Sequence, residues 1–149
     1  MQPEIKNDLV YLLRMLESAG KIHLYSDQFK NPVDFFDAND QQHFNASLAL
    51  LMNIGEQSTK LSHELKTIYS VIEWEQIKNF RNRIAHDYTG IDRFITYEII
   101  KDDLPQLEID LQKIITEQIG NGNFDKNELN AAKGNQYYAH INFDELMHS

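Results

Sequence analysis

The stretch "FRNRIAHDYTG", residues 80 to 90, gathers two arginines, a histidine, an aspartate and a tyrosine into one short segment. Arg81 and Arg83 supply permanent forked cations whose planar donors match a phosphate. His86 supplies a group that gives or takes a proton near neutral pH. Such a pair approaches the minimum for cleaving RNA by its own 2′-hydroxyl without a metal. One group moves protons while the other stabilises charge on a pentacoordinate phosphate. On a helix, Arg81 and His86 stand about 140° apart around the axis and about 7.5 Å apart along it. They border one groove only if that groove crosses the helix end, whereas Arg83 and His86, three residues apart, share a face more directly. An ordinary structural role competes with this chemistry: both arginines paired to acidic neighbours, and His86 held at the helix end by the dipole.

The surrounding chain is of opposite sign. It has 149 residues, enough for one domain with a real core, and a net charge of −9. Between Lys78 and Arg93, four cations (Lys78, Arg81, Arg83, Arg93) face two carboxylates (Asp87, Asp92), a local balance of +2. This distribution excludes a protein that coats nucleic acid non-specifically and concentrates any anion at one small site. There is no cysteine, hence neither a disulfide framework nor thiolate chemistry. His23, His43 and His63 lack metal-ligand spacing and read as surface or partly buried residues; no metal or other cofactor is expected. His140 and His148 fall in the tail without an evident partner. The start, "MQPEIKNDLVYLL", does not read as a signal peptide, and no apolar run approaches a membrane span, so the cytoplasm is the expected compartment.

Helices must position the motif. Ile5, Leu9, Leu12, Leu13 and Leu16 recur at helical spacing, with Pro3 in the first turn, and predict a helix to about Ser26. "FKNPVDFFDAND" interrupts it at Pro32 and a cluster of Asn and Asp. A second helix follows, with Phe44, Leu48, Leu51, Met52, Gly55, Thr59 and Leu61 along one face. Ser70 and Glu73 have capping-box spacing and predict a third helix through Trp74, Ile77, Phe80 and Ile84, ending near Tyr88–Gly90. The motif thus occupies its carboxyl-terminal half. The pattern resumes from Ile91, with a kink or new helix at Pro105. The reading is an all-α, up-and-down bundle of four to five helices over residues 1–119. Residues 120–149 are set apart as a C-terminal extension, in which "YYAHINF" suits a short strand or an extended arm.

These residues resemble the HEPN superfamily, and more closely the HepT-type ribonuclease toxins of HEPN/MNT toxin–antitoxin pairs, with their Arg-x-x-x-x-His-x-Tyr motif. Here that motif reads Arg81, Asn82, Arg83, Ile84, Ala85, His86, Asp87, Tyr88. "NIGEQSTKLS" resembles the family's "IGEA…L" helix, and "IEWEQIKNFRNRIAHDYTGID" its "W…I…RN.I.HDY.GID" run. The match covers about residues 45–95; the family's proline before the tryptophan segment is absent, and the tail has no counterpart. The resemblance implies a metal-independent endoribonuclease toxin of a type VII-like pair. It would be a homodimer with two motif helices meeting in one composite groove. Its partner would be an MNT-type nucleotidyltransferase antitoxin that adenylylates the motif tyrosine. By position, Arg81 and His86 would be catalytic, Asn82 supporting, and Tyr88 the modified residue. Arg83 is not a fixed motif position and would at most bind RNA phosphate. The alternative is a non-catalytic HEPN subunit that binds a nucleotidyltransferase. Outside the motif, Gly55 reads as a close-packing residue beside a surface Glu56, whose carboxylate alternatively reaches the groove. Trp74 reads as a core or interface anchor, and Asp87 either orients His86 or is solvated.

Overall fold

The computed structural model describes residues 4–147, so Pro3 and His148 lie outside the described residues. The helices are α1 (Leu9–Ser26), α2 (Pro32–Lys60), α3 (His63–Ile68), α4 (Trp74–His86), α5 (Arg93–Glu98), α6 (Leu104–Gly120), α7 (Lys126–Lys133) and α8 (Phe143–Met147). No strand occurs among the described residues, and the all-α bundle read from the sequence is what forms. No helix among them is long and apolar enough to cross a membrane.

The core lies where the stripes of α1, α2 and α6 converge: Leu9, Leu12, Met15, Leu48, Leu111 and Ile114 are all buried. Residues recurring at three- and four-residue steps share one helix face, so these positions turn inward together. The expected stripe of α2 is buried at Phe44, Leu48, Leu51 and Gly55, while Thr59 is exposed. Helix α2 packs mainly on α1 and on α4.

Several boundaries depart from the periodic reading. Pro32 does not interrupt a helix but starts one, behind an Asn31 cap that accepts from the Asp34 amide at 2.9 Å. The break falls later, at Ala38–Gln41, where Asn39, Asp40 and Gln41 have positive φ. Asn and Asp tolerate that conformation better than most residues. The capping box at Ser70 does not form: α4 begins at Trp74 behind Glu73, with no side-chain cap. A capped helix exists one step earlier, α3, where Ser62 accepts from the Leu65 amide. The motif helix is therefore the fourth, not the third. Ser62 also donates from its hydroxyl and its amide to the buried carboxylate of Asp8, tying the start of α1 to the α2–α3 junction. Burial pushes the Asp8 carboxyl up, with the Ser62 hydrogen bonds opposing that shift.

Pro105 does begin a new helix, α6, and a π-helical turn at Ile99–Asp103 precedes it. Proline has no amide to donate to the previous turn, and the extra residue of a π-turn absorbs the mismatch.

The tail folds back on the bundle. Gln136–Tyr138 forms a short 3-10 turn against α1, and α8 packs on α6. Its segment "YYAHINF" contains no strand. His140 donates its backbone amide to Glu17 at 2.7 Å and sets its ring Nδ1 against the other carboxylate oxygen, also at 2.7 Å. Gly20, one turn on from Glu17, admits this close approach, because a Cβ there would lie 2.7 Å from the His140 carbonyl oxygen.

Candidate functional site

Helix α4 lies against α2 through a close approach of Gly55 to Arg81. A Cβ on Gly55 would collide with the Arg81 Cβ and lie 2.8 Å from its Cγ. The absent side chain lets the arginine stem lie flat on α2, as the close-packing reading of Gly55 requires. That stem carries the guanidinium to Glu56, whose Oε1 accepts from Nη2, while Nη1 donates to the Asn82 Oδ1 at 3.1 Å. Glu56 thus does reach the motif, and Arg81 is half-buried rather than a surface cation. The Arg81 Nε is buried without a hydrogen-bond partner among the described residues.

His86 closes the last turn of α4 and is exposed, with no side-chain hydrogen bond among the described residues. Arg83 is likewise exposed on that turn. The motif is consequently divided within one chain. Arg81 points toward α2 and is held there by Glu56, whereas Arg83 and His86 project outward. The angular separation expected of a helix persists, and no hydrogen bond joins Arg81 and His86 among the described residues.

Beyond His86 the chain leaves the helix at Asp87 (φ −147°, ψ 63°), whose amide donates to the Arg83 carbonyl at 2.8 Å. Asp87 is exposed at this cap and has no hydrogen bond to His86. Tyr88 starts a 3-10 turn, Tyr88–Gly90, and returns to α2 by donating its hydroxyl to the Asn45 Oδ1 at 2.7 Å. It remains 46% exposed, and partial burial pushes its phenol up. Tyr97 donates to the Phe29 carbonyl, and Tyr137 is more exposed than Tyr88 but lies in the tail. Trp74, at the other end of α4, is a half-buried anchor donating its indole N–H to the Tyr69 carbonyl at 3.1 Å.

Two contacts escaped sequence reasoning. Asn45 partners Tyr88 from 43 positions away, without a local signal. Arg93 places its guanidinium 4.9 Å from the Phe36 ring and 5.1 Å from that of Phe94. The signal available for it was its place in the basic window. Of the histidines set aside as ligands, His23 pairs with Glu108 and approaches Asp27 at 3.7 Å. The Glu108 hydrogen bond pushes its imidazole up, against the opposing effect of burial. His43 bonds Asn39, and His63 lies beside Thr67. No group of three or more His, Asp or Glu among the described residues could hold a metal ion.

Comparison with known proteins agrees with the family resemblance. The family model described as "Ribonuclease HepT-like" matches residues 15–114. A Methanocaldococcus jannaschii protein named "Gamma-glutamylcyclotransferase and putative RNase" is 31% identical over 83% of this chain, which spans about half (53%) of that relative's length. A second protein of that organism, "Putative RNase", is 25% identical over 68% of this chain and 91% of its own length. A "Probable ribonuclease HepT" of Thermococcus cleftensis is 26% identical over 66% of this chain and 91% of its own. No solved structure matches.

Proposed function

The chain belongs to the ribonuclease HepT-like family, and we propose that it is a metal-independent endoribonuclease whose site is completed by a second copy of the chain. The observation that carries this reading is the division of the motif, with a half-buried Arg81 held by Glu56 and an exposed His86 on another face of α4. A two-fold pairing of α4 with the α4 of a second copy supplies two arginines and two histidines to one groove. One His86 takes the proton of a ribose 2′-hydroxyl as its oxygen bonds to the adjacent phosphorus. The His86 of the second copy protonates the departing 5′-oxygen as its bond to phosphorus breaks. Arg81 neutralises the intervening phosphorane, Arg83 contacts a neighbouring phosphate, and Asn82 orients the guanidinium it already bonds. The products are a 2′,3′-cyclic phosphate and a 5′-hydroxyl.

The chain would act as the toxin of a pair whose antitoxin is an MNT-type nucleotidyltransferase. The Tyr88 oxygen would attack the α-phosphorus of ATP and release diphosphate. Its raised pKa keeps the phenol protonated at neutral pH, so the transferase must supply the base. The attached AMP would set a negative phosphodiester at the carboxyl-terminal end of α4, in competition with RNA phosphate. Tyr137 is the more exposed phenol, so the proposed selectivity comes from placement beside the motif. Residues 1–119 would form the catalytic body, and 120–149 an extension bracing α1 and α6.

One observation favours a non-catalytic reading, in which the chain is a binding subunit for a nucleotidyltransferase: the Arg81 charge is already matched by Glu56. Expression of the parent, Arg81→Ala and His86→Ala separates the two. Growth arrest and fragmented RNA with the parent, and neither with the variants, is expected; intact RNA in every case supports the binding subunit.

A further inference from the structure

The other flank of α4 opens on a cleft of about 500 Å³, between α4 and the segment running from the π-turn into α6. Its floor is aliphatic and aromatic, with Leu51 and Ile54 from α2, Ile77 and Phe80 from α4, and Leu104 and Leu107 from α6. Its rim is acidic: Glu73 on one side, Asp102, Asp103 and Asp110 on the other. No Lys, Arg or His lines it. None of the four carboxylates forms a salt bridge among the described residues; Asp110 accepts only an amide hydrogen bond from Gln106 at 3.1 Å. Lys101 of the π-turn, next to Asp102 in sequence, donates to the Ser26 carbonyl at 3.0 Å and lies over the Tyr97 ring. At the mouth, Val71 is 81% exposed.

We infer that this cleft docks a cationic amphipathic helix of a partner protein. An apolar floor favours an apolar stripe, and four unneutralised carboxylates favour flanking Lys and Arg. Nucleic acid is repelled by the same rim, and so is a second copy of a chain carrying −9. The walls are helical and present no open sheet edge, so the ligand must satisfy its own backbone, as a helix does. The lining spans Glu73 to Phe80 on α4 and Ile99 to Asp110 opposite. These runs are about 10 and 16 Å long, room for two to three helical turns. The inference stands apart from the ribonuclease reading, since none of these residues belongs to the motif.

A fluorescein-labelled Leu/Lys amphipathic peptide of about four turns, titrated into the full chain at about 0.15 M salt, tests it. Micromolar binding is expected, with none for the Leu/Glu counterpart or for a Ser/Lys peptide lacking the apolar stripe. Asp102→Lys with Asp103→Lys should weaken binding at least tenfold. The same charge change at exposed Asp37 and Glu98 should alter it less than twofold. Equal weakening by both pairs, or no binding to the parent, overturns the proposal. So does conversion of a dimer to a monomer by the cleft pair in light scattering, which would make a second copy the occupant.

Discussion

Helix α4 meets the rest of the molecule on two flanks, and they are built in opposite ways. Toward α2 the contact is close and fixed: Gly55 removes the side chain that would separate the helices, and Arg81 lies across it to Glu56. Toward α6 the helix stands off, leaving an apolar cleft with an acidic rim. The first flank immobilises a cation; the second leaves apolar surface open. On the proposed reading, a chain of net charge −9 would keep an anion site and a site for cations on one helix by assigning them to different faces.

The largest expected effect separates chemistry from support on the fixed flank. His86→Ala should reduce RNA cleavage by a factor of about 100 to 10,000, the range for losing a general acid or base, with a melting temperature within a few degrees of the parent. Arg81→Ala should abolish cleavage and also lower stability, because its stem and its ion pair are half-buried. An equally stable Arg81→Ala would break the claim that this flank is fixed.

Gly55→Val comes next. Forcing α2 from α4 should cost about 1–3 kcal/mol in denaturant unfolding, and displace Arg81 enough to impair cleavage. On the open flank Val71→Ser, at an 81% exposed position, should stay within about 0.5 kcal/mol of the parent. Similar costs at both sites would erase the contrast.

Tyr88→Phe removes one hydrogen bond to Asn45 and should cost about 1 kcal/mol. Intact-mass measurement with the cognate transferase and ATP should show AMP on the parent and none on the variant. Modification of the Phe variant to the same extent would remove Tyr88 from the account.

The smallest effect lies away from α4, at His23. Its imidazole is raised above 6.5 chiefly by Glu108. A raised histidine contributes stability fully present below its unfolded pKa and lost as pH rises through the folded one. His23→Gln should therefore lower Tm by about 1–2 °C at pH 6, as for a partly exposed ion pair worth about 0.5 kcal/mol. The difference should vanish by pH 9, as read by calorimetry at the two pH values.

The motif helix, its end near residue 88 and the α2 stripe were legible because each is a local pattern of 3.6-residue period. What stayed hidden was fixed by partners distant in sequence. Ser62 caps α3 and is anchored by Asp8 from the start of α1, whereas α4 starts behind Glu73 with no side-chain cap. Helix α1 does end at Ser26 and the later break does fall in the expected Asn and Asp cluster, but Pro32, compatible with a first turn, starts a helix there. His140 gained its partner, Glu17, across 123 positions. At the site, sequence reasoning identified the residue types but left Glu56 between packing and function. Only the packing of Gly55 on Arg81 shows why that carboxylate reaches the motif.

The central claim is that Arg81 and His86 act together across two copies. Its most direct test is an RNA-cleavage assay on mixed dimers, formed by co-expressing parent and His86→Ala chains with different tags and purifying through both. A single groove that needs both imidazoles, one as base and one as acid, loses a proton-transfer group when either copy lacks His86. The mixed dimer should therefore cleave about 100 to 10,000 times more slowly than the parent. A mixed dimer with about half of the parent activity would contradict a site assembled between copies.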